Sequence, residues 1–435
     1  MGFEHTPVDP TSAERLATSG LELRLVDTAE HDDFDRWLQA DQRGFHMAKA
    51  TPASLAELRA TTAHRRSVGV YDPQSPAPGH PVGTTQTWVT PLTVPGGATI
   101  DMWAVSSVTV SPTHRRRGVA RALLEGELRA AAGDNVPMVG LTVSEATIYS
   151  RFGFGVATFT DSAEIETRRV RWSGPDAPGR LHFVDPDVLL PDAATIIDAV
   201  RSSQPGGLSY DDHFVGSVVG TIGDDRAGLR AVRYDDADGR PMGFASYRLR
   251  AHETDFAKHT ATVQHLIGAT DEATAALWRY LLELDLVATV RAPGRPVDEP
   301  VHWQLGDLRA ATRRRRDALW LRILDVPAVL GARRYATAAA VVLEVSDPYG
   351  FTAGRFLLET DAEGAGHVEQ FDGATPAGAA SVALSIGDLS SLYLGGVSAA
   401  TLARAGRIEE RSAGAAFALE RMLAVDRAPW LILGF

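Results

Sequence analysis

Residues 21–26 (LELRLV) alternate apolar with polar, the two-residue period of a β-strand. SVGVYD (67–72), VGTTQTWVTPLTV (82–94) and TIDMWAVSSVTV (99–110) also read as strands, with the Pro/Gly loop DPQSPAPGHP joining the first two of these. Residues 35–41 have helical spacing, with Phe34, Trp37 and Leu38 on one face. After Val110 the period changes again. Val119, Ala120, Leu123, Leu124 and Leu128 form a helical stripe, and MVGLTVS (138–144) follows as a buried strand. A strand, a turn and a helix thus meet between Val110 and Val119.

SGPDAPGRL (173–181) is a Pro/Gly break and marks a first boundary. Beyond it the pattern predicts a helix over 190–203, strands over 229–234 and 241–250, and a helix over 272–286. RAATRRRRDALW (309–320) closes this part. Its arginines, Arg313 to Arg316, read as a solvated helix face or an interdomain salt-bridge surface. The last third predicts strands over 339–347, 354–361 and 380–387. Helices follow over 388–396, 398–406 and 415–424. The expected organisation is a flexible leader (1–20), an α/β domain (21–175), a second α/β domain (176–318) and an α+β domain (319–435).

Composition narrows the function. The chain has 435 residues, 44% of them hydrophobic and 23% charged, ample for several buried cores. It has no cysteine, which excludes disulfides, thiolate metal sites and cysteine nucleophiles. With 43 basic against 55 acidic residues the net charge is −12, which argues against a nucleic-acid partner and favours a cationic one. The 13 histidines form no H-E-x-x-H pattern, so no metal is expected. No apolar run reaches the length of a membrane span, and the first twenty residues lack the regions of a signal peptide, so no membrane partner and a cytoplasmic location are expected.

The chemistry concentrates in VTVSPTHRRRGVAR (108–121). A pyrophosphate needs several backbone N–H groups converging on it, and a helix N-terminus supplies them with a favourable dipole. Gly118 and Ala120 add no bulk there, while Arg115, Arg116 and Arg117 offer charge-assisted hydrogen bonds.

This segment resembles the acetyl-CoA motif of the GNAT superfamily of N-acetyltransferases, and LTVSEATIYSRFGFG (141–155) resembles their following strand and tyrosine-bearing helix. THRRRG, SE-x-x-IY-x-RFGFG, LWLRILDVPAVLGARRY (319–335) and a terminal phenylalanine are similar to the enhanced intracellular survival (Eis) family, from about Leu21 to Phe435. The resemblance implies tandem GNAT-like domains followed by a sterol-carrier-like domain. Only the first GNAT-like domain carries the cofactor motif. It also implies acetyl-CoA as cosubstrate without a metal, and a homo-oligomer, a hexamer.

The family's roles carry over residue by residue. Val108, Thr109 and Val110 resemble the strand that pairs with the pantetheine arm. The pyrophosphate turn corresponds to Arg116, Arg117, Gly118, Val119, Ala120 and Arg121. Ser144 and Glu145 take the place of a cofactor-contacting pair. Tyr149 resembles the donor of a proton to the leaving thiolate, and the Phe435 carboxylate resembles the general base. WLILGF is apolar to its last residue, so a docked end has a driving force.

The implied substrate is a small cationic amine of aminoglycoside, polyamine or lysine type. Trp37, Asp41, Phe45 and Trp103 are candidate pocket walls, each equally readable as core or surface. Gly434 brings no charge beside the base. Two other classes remain open, a carrier of hydrophobic ligands in the third domain and a non-enzymatic regulator that retains CoA binding.

Overall fold

Seven strands form the first sheet of the computed structural model, which describes residues 2–221 and 228–435. Their order is Glu22–Leu25, Arg66–Tyr71, Gly83–Thr93, Thr99–Val110, Met138–Thr142, Leu319–Ile323 and Gly155–Val156. Thr99–Val110 and Met138–Thr142 run parallel, joined by the helix Val119–Gly133. That helix buries Leu123, Leu124 and Leu128, the stripe read from the sequence. The helix His31–Gly44 covers the sheet with Phe34, Trp37 and Leu38 buried. Mixed α/β layers therefore stand as expected.

The second sheet orders Ala311–Asp317, Phe159–Glu166, Val287–Arg295, His259–Gly268, Pro241–Arg250, Leu229–Asp235 and Arg180–Phe183. It repeats the same device, since His259–Gly268 and Val287–Arg295 are parallel and joined by the helix Asp271–Leu282. The third sheet orders Gly366–Gln370, Gly354–Thr360, Ala339–Ser346, Ala380–Ser385 and Ile408–Glu410. Val341, Leu343, Val382 and Leu384 pack into one core with Leu389, Leu419 and Met422.

Three expectations need correction. Residues 1–20 are not a loose leader. The helix Pro10–Ala17 buries Leu16, caps itself with Asp9, and ties Asp9 to Arg129 at 2.8 Å. Phe3 meets the Trp103 ring edge-on, and Arg66 donates to the Thr6 carbonyl at 2.8 Å.

The four arginines lie on a strand, not a helix. Alternation puts Arg313 and Arg315 on one face, where both bind the buried Asp161 (2.6 and 3.1 Å). Both arginines and Asp161 belong to neighbouring strands of one sheet, so these salt bridges form within a domain and not between domains.

The sheets also cut across the expected boundaries at 175 and 318. Phe159–Glu166 belongs to the second sheet, and Leu319–Ile323 inserts into the first.

Candidate active site

Parallel pairing between the two central strands ends at Val105 and Leu141. Beyond it the strands diverge, and Ser106–Val110 on one side and Thr142–Glu145 on the other line a cleft of ≈ 750 Å³. A β-bulge drives the divergence. Thr84 faces Thr109 and Gln86 faces Ser106, so Thr85 opposes two residues, Ser107 and Val108. Ser107 takes a positive φ of 55°, unfavourable for a side chain with a Cβ, and Thr84 Oγ1 holds its carbonyl at 2.8 Å. The strand edge of Ser106–Val110 facing the cleft is left without a partner strand, a row of backbone groups that can pair with an extended ligand.

The turn before the helix Val119–Gly133 closes one end. Gly118 has φ of +80° and no protein atom within 4 Å of where a Cβ would stand, so its open side faces the cleft. Arg116 is also left-handed, at 63°. Among the described residues Arg115 and Arg116 have no ion-pair partner, and both line the cleft. Arg117 does not. Its guanidinium donates to the Ser19 carbonyl at 2.6 Å and lies 3.7 Å from Asp72, a brace for the turn. Of the expected cofactor contacts, Arg117 is the one outside the cleft lining. Val119, Ala120 and Arg121 line the cleft. The Val119 side chain is in the core, and Arg121 reaches Glu125 at 3.5 Å. Val108, Thr109 and Val110 line it as well, with the Thr109 hydroxyl tied to Thr84 at 2.6 Å.

Ser144 and Glu145 are exposed at the mouth. Tyr149, on the short helix Ala146–Tyr149, is 9% exposed and packs edge-on against Phe154. Burial, and then the charge of Glu145, push its phenol above its ordinary pKa, so it is held neutral with its proton.

The far end of the chain reaches the same cleft. Trp430 donates to the Gly294 carbonyl at 2.9 Å, and Tyr210 exchanges hydrogen bonds with Leu433 (2.9 and 3.0 Å). Phe435 then packs edge-on against Trp88, with centroids 5.2 Å apart. Thr142 Oγ1 donates to the backbone oxygen of Phe435 at 2.5 Å. Tyr149, Phe435 and the arginine turn thus share one cleft, drawn from residues as far as 320 positions apart.

The candidate wall residues divide. Trp37 donates to the Val68 carbonyl and Trp103 to Glu127, and both are core. Phe45 is 46% exposed and lines the cleft with Gly44 and His46. Asp41 is buried behind Ser107. Sequence reading missed Gly44, His46, Ser106, Ser107 and Thr142. The bulge at Ser107 has no local signature, and Gly44, His46 and Thr142 come from other elements that the fold brings alongside.

The chain is similar to known proteins along most of its length. Residues 26–157 and 216–323 each match an acetyltransferase (GNAT) domain, and residues 326–432 match a sterol carrier protein domain. The chain is 36% identical to an uncharacterised N-acetyltransferase of Streptomyces coelicolor, over 93% of this chain and 98% of that one. It is 33% identical to the N-acetyltransferase Eis of Mycobacterium tuberculosis, over 77% and 81%. The chain belongs to the Eis-like N-acetyltransferases of the GNAT superfamily. Crystalline Eis1 from Mycobacterium abscessus superposes with a TM-score of 0.79 at 28% identity, covering 95% of this chain and all of that one. Two GNAT domains and a sterol-carrier domain in series thus account for the three sheets of this Eis-like enzyme. No helix among its described residues is long and apolar enough to cross a membrane, and no cluster of three metal-ligating side chains occurs among them.

Proposed function

We propose that this acetyltransferase moves the acetyl group of acetyl-CoA directly to a cationic primary amine in the cleft between Val108 and Tyr149. The observation that carries the reading is the convergence there of a free strand edge, Arg115 and Arg116 without ion-pair partners among the described residues, a neutral phenol and the Phe435 terminus. The backbone of Val108–Val110 pairs with the pantetheine arm and polarises the thioester carbonyl. N–H groups of residues 116–120, with Arg115 and Arg116, hold the pyrophosphate. Ser144 and Glu145 flank the cofactor at the mouth. The Phe435 carboxylate accepts a proton from the amine nitrogen, and Tyr149 gives one to the departing thiolate. The Thr142 hydroxyl and the Trp88 ring hold the terminal carboxylate at the cleft.

One donor per chain is supported by the second GNAT domain. Its corresponding helix begins at Thr270, whose side chain caps the Ala273 N–H, and carries Asp271 and Glu272 in the first turn. Acids at that position repel a phosphate instead of holding it. The family resemblance carries a homohexamer, checked by light scattering against the 46.6 kDa protomer.

The test compares tags. A tag after Phe435 turns the carboxylate into an amide that cannot take the proton. Such a protein should bind acetyl-CoA normally yet release CoA ~10²-fold more slowly with a saturating polyamine or aminoglycoside. An N-terminal tag should leave the rate alone. Equal turnover of the two forms would put the base elsewhere.

A further inference from the structure

An ammonium acceptor carries two protons that must leave its nitrogen, one before the lone pair can attack and one after the C–N bond forms. One of these goes to Phe435 in the reading above, and the other needs a second acceptor. The structure holds a candidate in a buried acid without a cation. Asp33, Glu127, Asp161, Glu299 and Asp347 are also buried, and each pairs with an arginine. Asp41 is 9% exposed and has no ion-pair partner among the described residues. Its Oδ1 is buried without a hydrogen bond. An isolated buried carboxylate is costly, and no cation in the packing compensates for it.

What Asp41 does have is the Ser107 hydroxyl. The helix His31–Gly44 ends hard against the bulged strand, for a Cβ on Gly44 would lie 2.4 Å from the Thr109 side chain. One turn earlier on the same helix, Asp41 comes up against the Ser107 hydroxyl. Ser107 lines the cleft and Asp41 does not, so the serine separates the carboxylate from the reacting groups.

We propose that Ser107 and Asp41 form the second proton acceptor of the site. This rests on the reading that an amine is acetylated in this cleft. The acceptor's N–H bond breaks as a Ser107 Oγ–H bond forms, and the original Oγ–H proton passes to Asp41 Oδ. The amine becomes neutral and Asp41 becomes a carboxylic acid, with no oxidant or further reactant. Ser107 is the group that touches the acceptor, and Asp41 is a positioning residue that acts through it. The positive φ of Ser107 fits this role, since strain of that kind persists where the surroundings enforce it.

Neighbouring charges leave Asp41 to this task. Arg59, from the helix packed alongside, pairs with Asp35, and Arg43 turns to the Pro81 carbonyl. The strands beneath present the Ser107 hydroxyl and no charged group that shifts Asp41. His46, exposed at the cleft, is the other titratable side chain nearby.

The experiment measures kcat/KM for spermidine across about pH 5–9, in the wild type, Asp41→Asn, Ser107→Gly and the double variant. Glycine suits the backbone at 107, so Ser107→Gly reads the relay even if Asp41→Asn folds poorly. Each single variant should lose ~10²-fold, and the double variant no more than either. Acetyl-CoA affinity should hold. The wild-type acid limb near pH 6 should vanish in Asp41→Asn. An active wild type with unchanged variants would overturn the relay alone, as would an acid limb that survives in Asp41→Asn. A wild type that acetylates no amine would overturn the parent reading, and the relay with it.

Discussion

The guanidinium of Arg322 meets the carboxylate of Asp347 at 2.7 Å, and both side chains are wholly shielded from water. Arg322 comes from the strand inserted in the first sheet, and Asp347 follows a strand of the third. Arg322 also donates to the Phe152 carbonyl at 2.9 Å, and Asp347 accepts from the Tyr349 and Thr352 N–H groups, each at 3.0 Å. The pair has the additional hydrogen bonds that a buried ion pair needs.

Asp347→Ala should therefore cost ~3–5 kcal/mol, because it leaves Arg322 charged, buried and unpaired. Arg322→Met with Asp347→Leu should lose much less. Urea unfolding of the three proteins checks this, and a loss within error for the single variant would mean that water reaches Arg322.

Gly118→Val should weaken acetyl-CoA binding by at least ~1.4 kcal/mol, about tenfold. No protein atom lies where the new side chain would begin, so the obstruction falls on the ligand. A β-branched residue at a φ of +80° is also strained, so thermal stability is measured alongside. Unaltered affinity in a folded variant would reduce the turn to an ordinary helix start.

Tyr149→Phe keeps the ring against Phe154 and removes the hydroxyl. Turnover should drop ~10²–10⁴-fold at saturating substrates, with donor affinity held. A pre-steady-state trace locates the slow step. Wild-type chemistry rates there would return Tyr149 to a packing role.

Asp41→Asn should stabilise the protein in a pH-dependent way. Burial pushes the acid from its ordinary 3.8 up to about 6, with the Ser107 hydrogen bond pulling the other way. The folded state then holds the proton more tightly than the unfolded chain. Stability is greatest below the unfolded value, falls as pH rises toward 6 and is flat above it. The penalty there is on the order of 3 kcal/mol. The variant should melt higher than wild type at pH 8 and together with it near pH 3, by calorimetry. A melting difference independent of pH would show that Asp41 already has a compensating partner.

Local signals were legible in the sequence and distant pairings were not. The arginine turn announces itself because strand, glycine and helix are contiguous, and WLILGF signals docking by its own apolarity. Arg117 looked like its neighbours, because its acceptor, the Ser19 carbonyl, lies 98 residues away. Phe159–Glu166 went unread as a strand since its acid, Asp161, is satisfied by arginines more than 150 residues later. The run Arg313–Arg316 suits a helix or a strand equally by composition, and Asp161 decides it. Leu16 and Asp9 find their partners on a helix more than a hundred residues on, so the first twenty residues looked loose. Asp41 gains its meaning from a bulge at Ser107, which no residue type near it foretells.

The insertion of Leu319–Ile323 beside Met138–Thr142 has a consequence for synthesis on the ribosome. When Thr142 emerges, the strand that covers its edge has not been translated. At ~5–20 residues per second the gap to Leu319 lasts roughly 10–35 s. Through that interval the nascent chain shows a bare edge, MVGLT, with no charge or proline to discourage pairing with another chain. The same edge would confront anyone who expresses residues 26–157 alone. Such a fragment should aggregate unless residues 319–323 are supplied, so the smallest chain that completes the first sheet extends through Ile323.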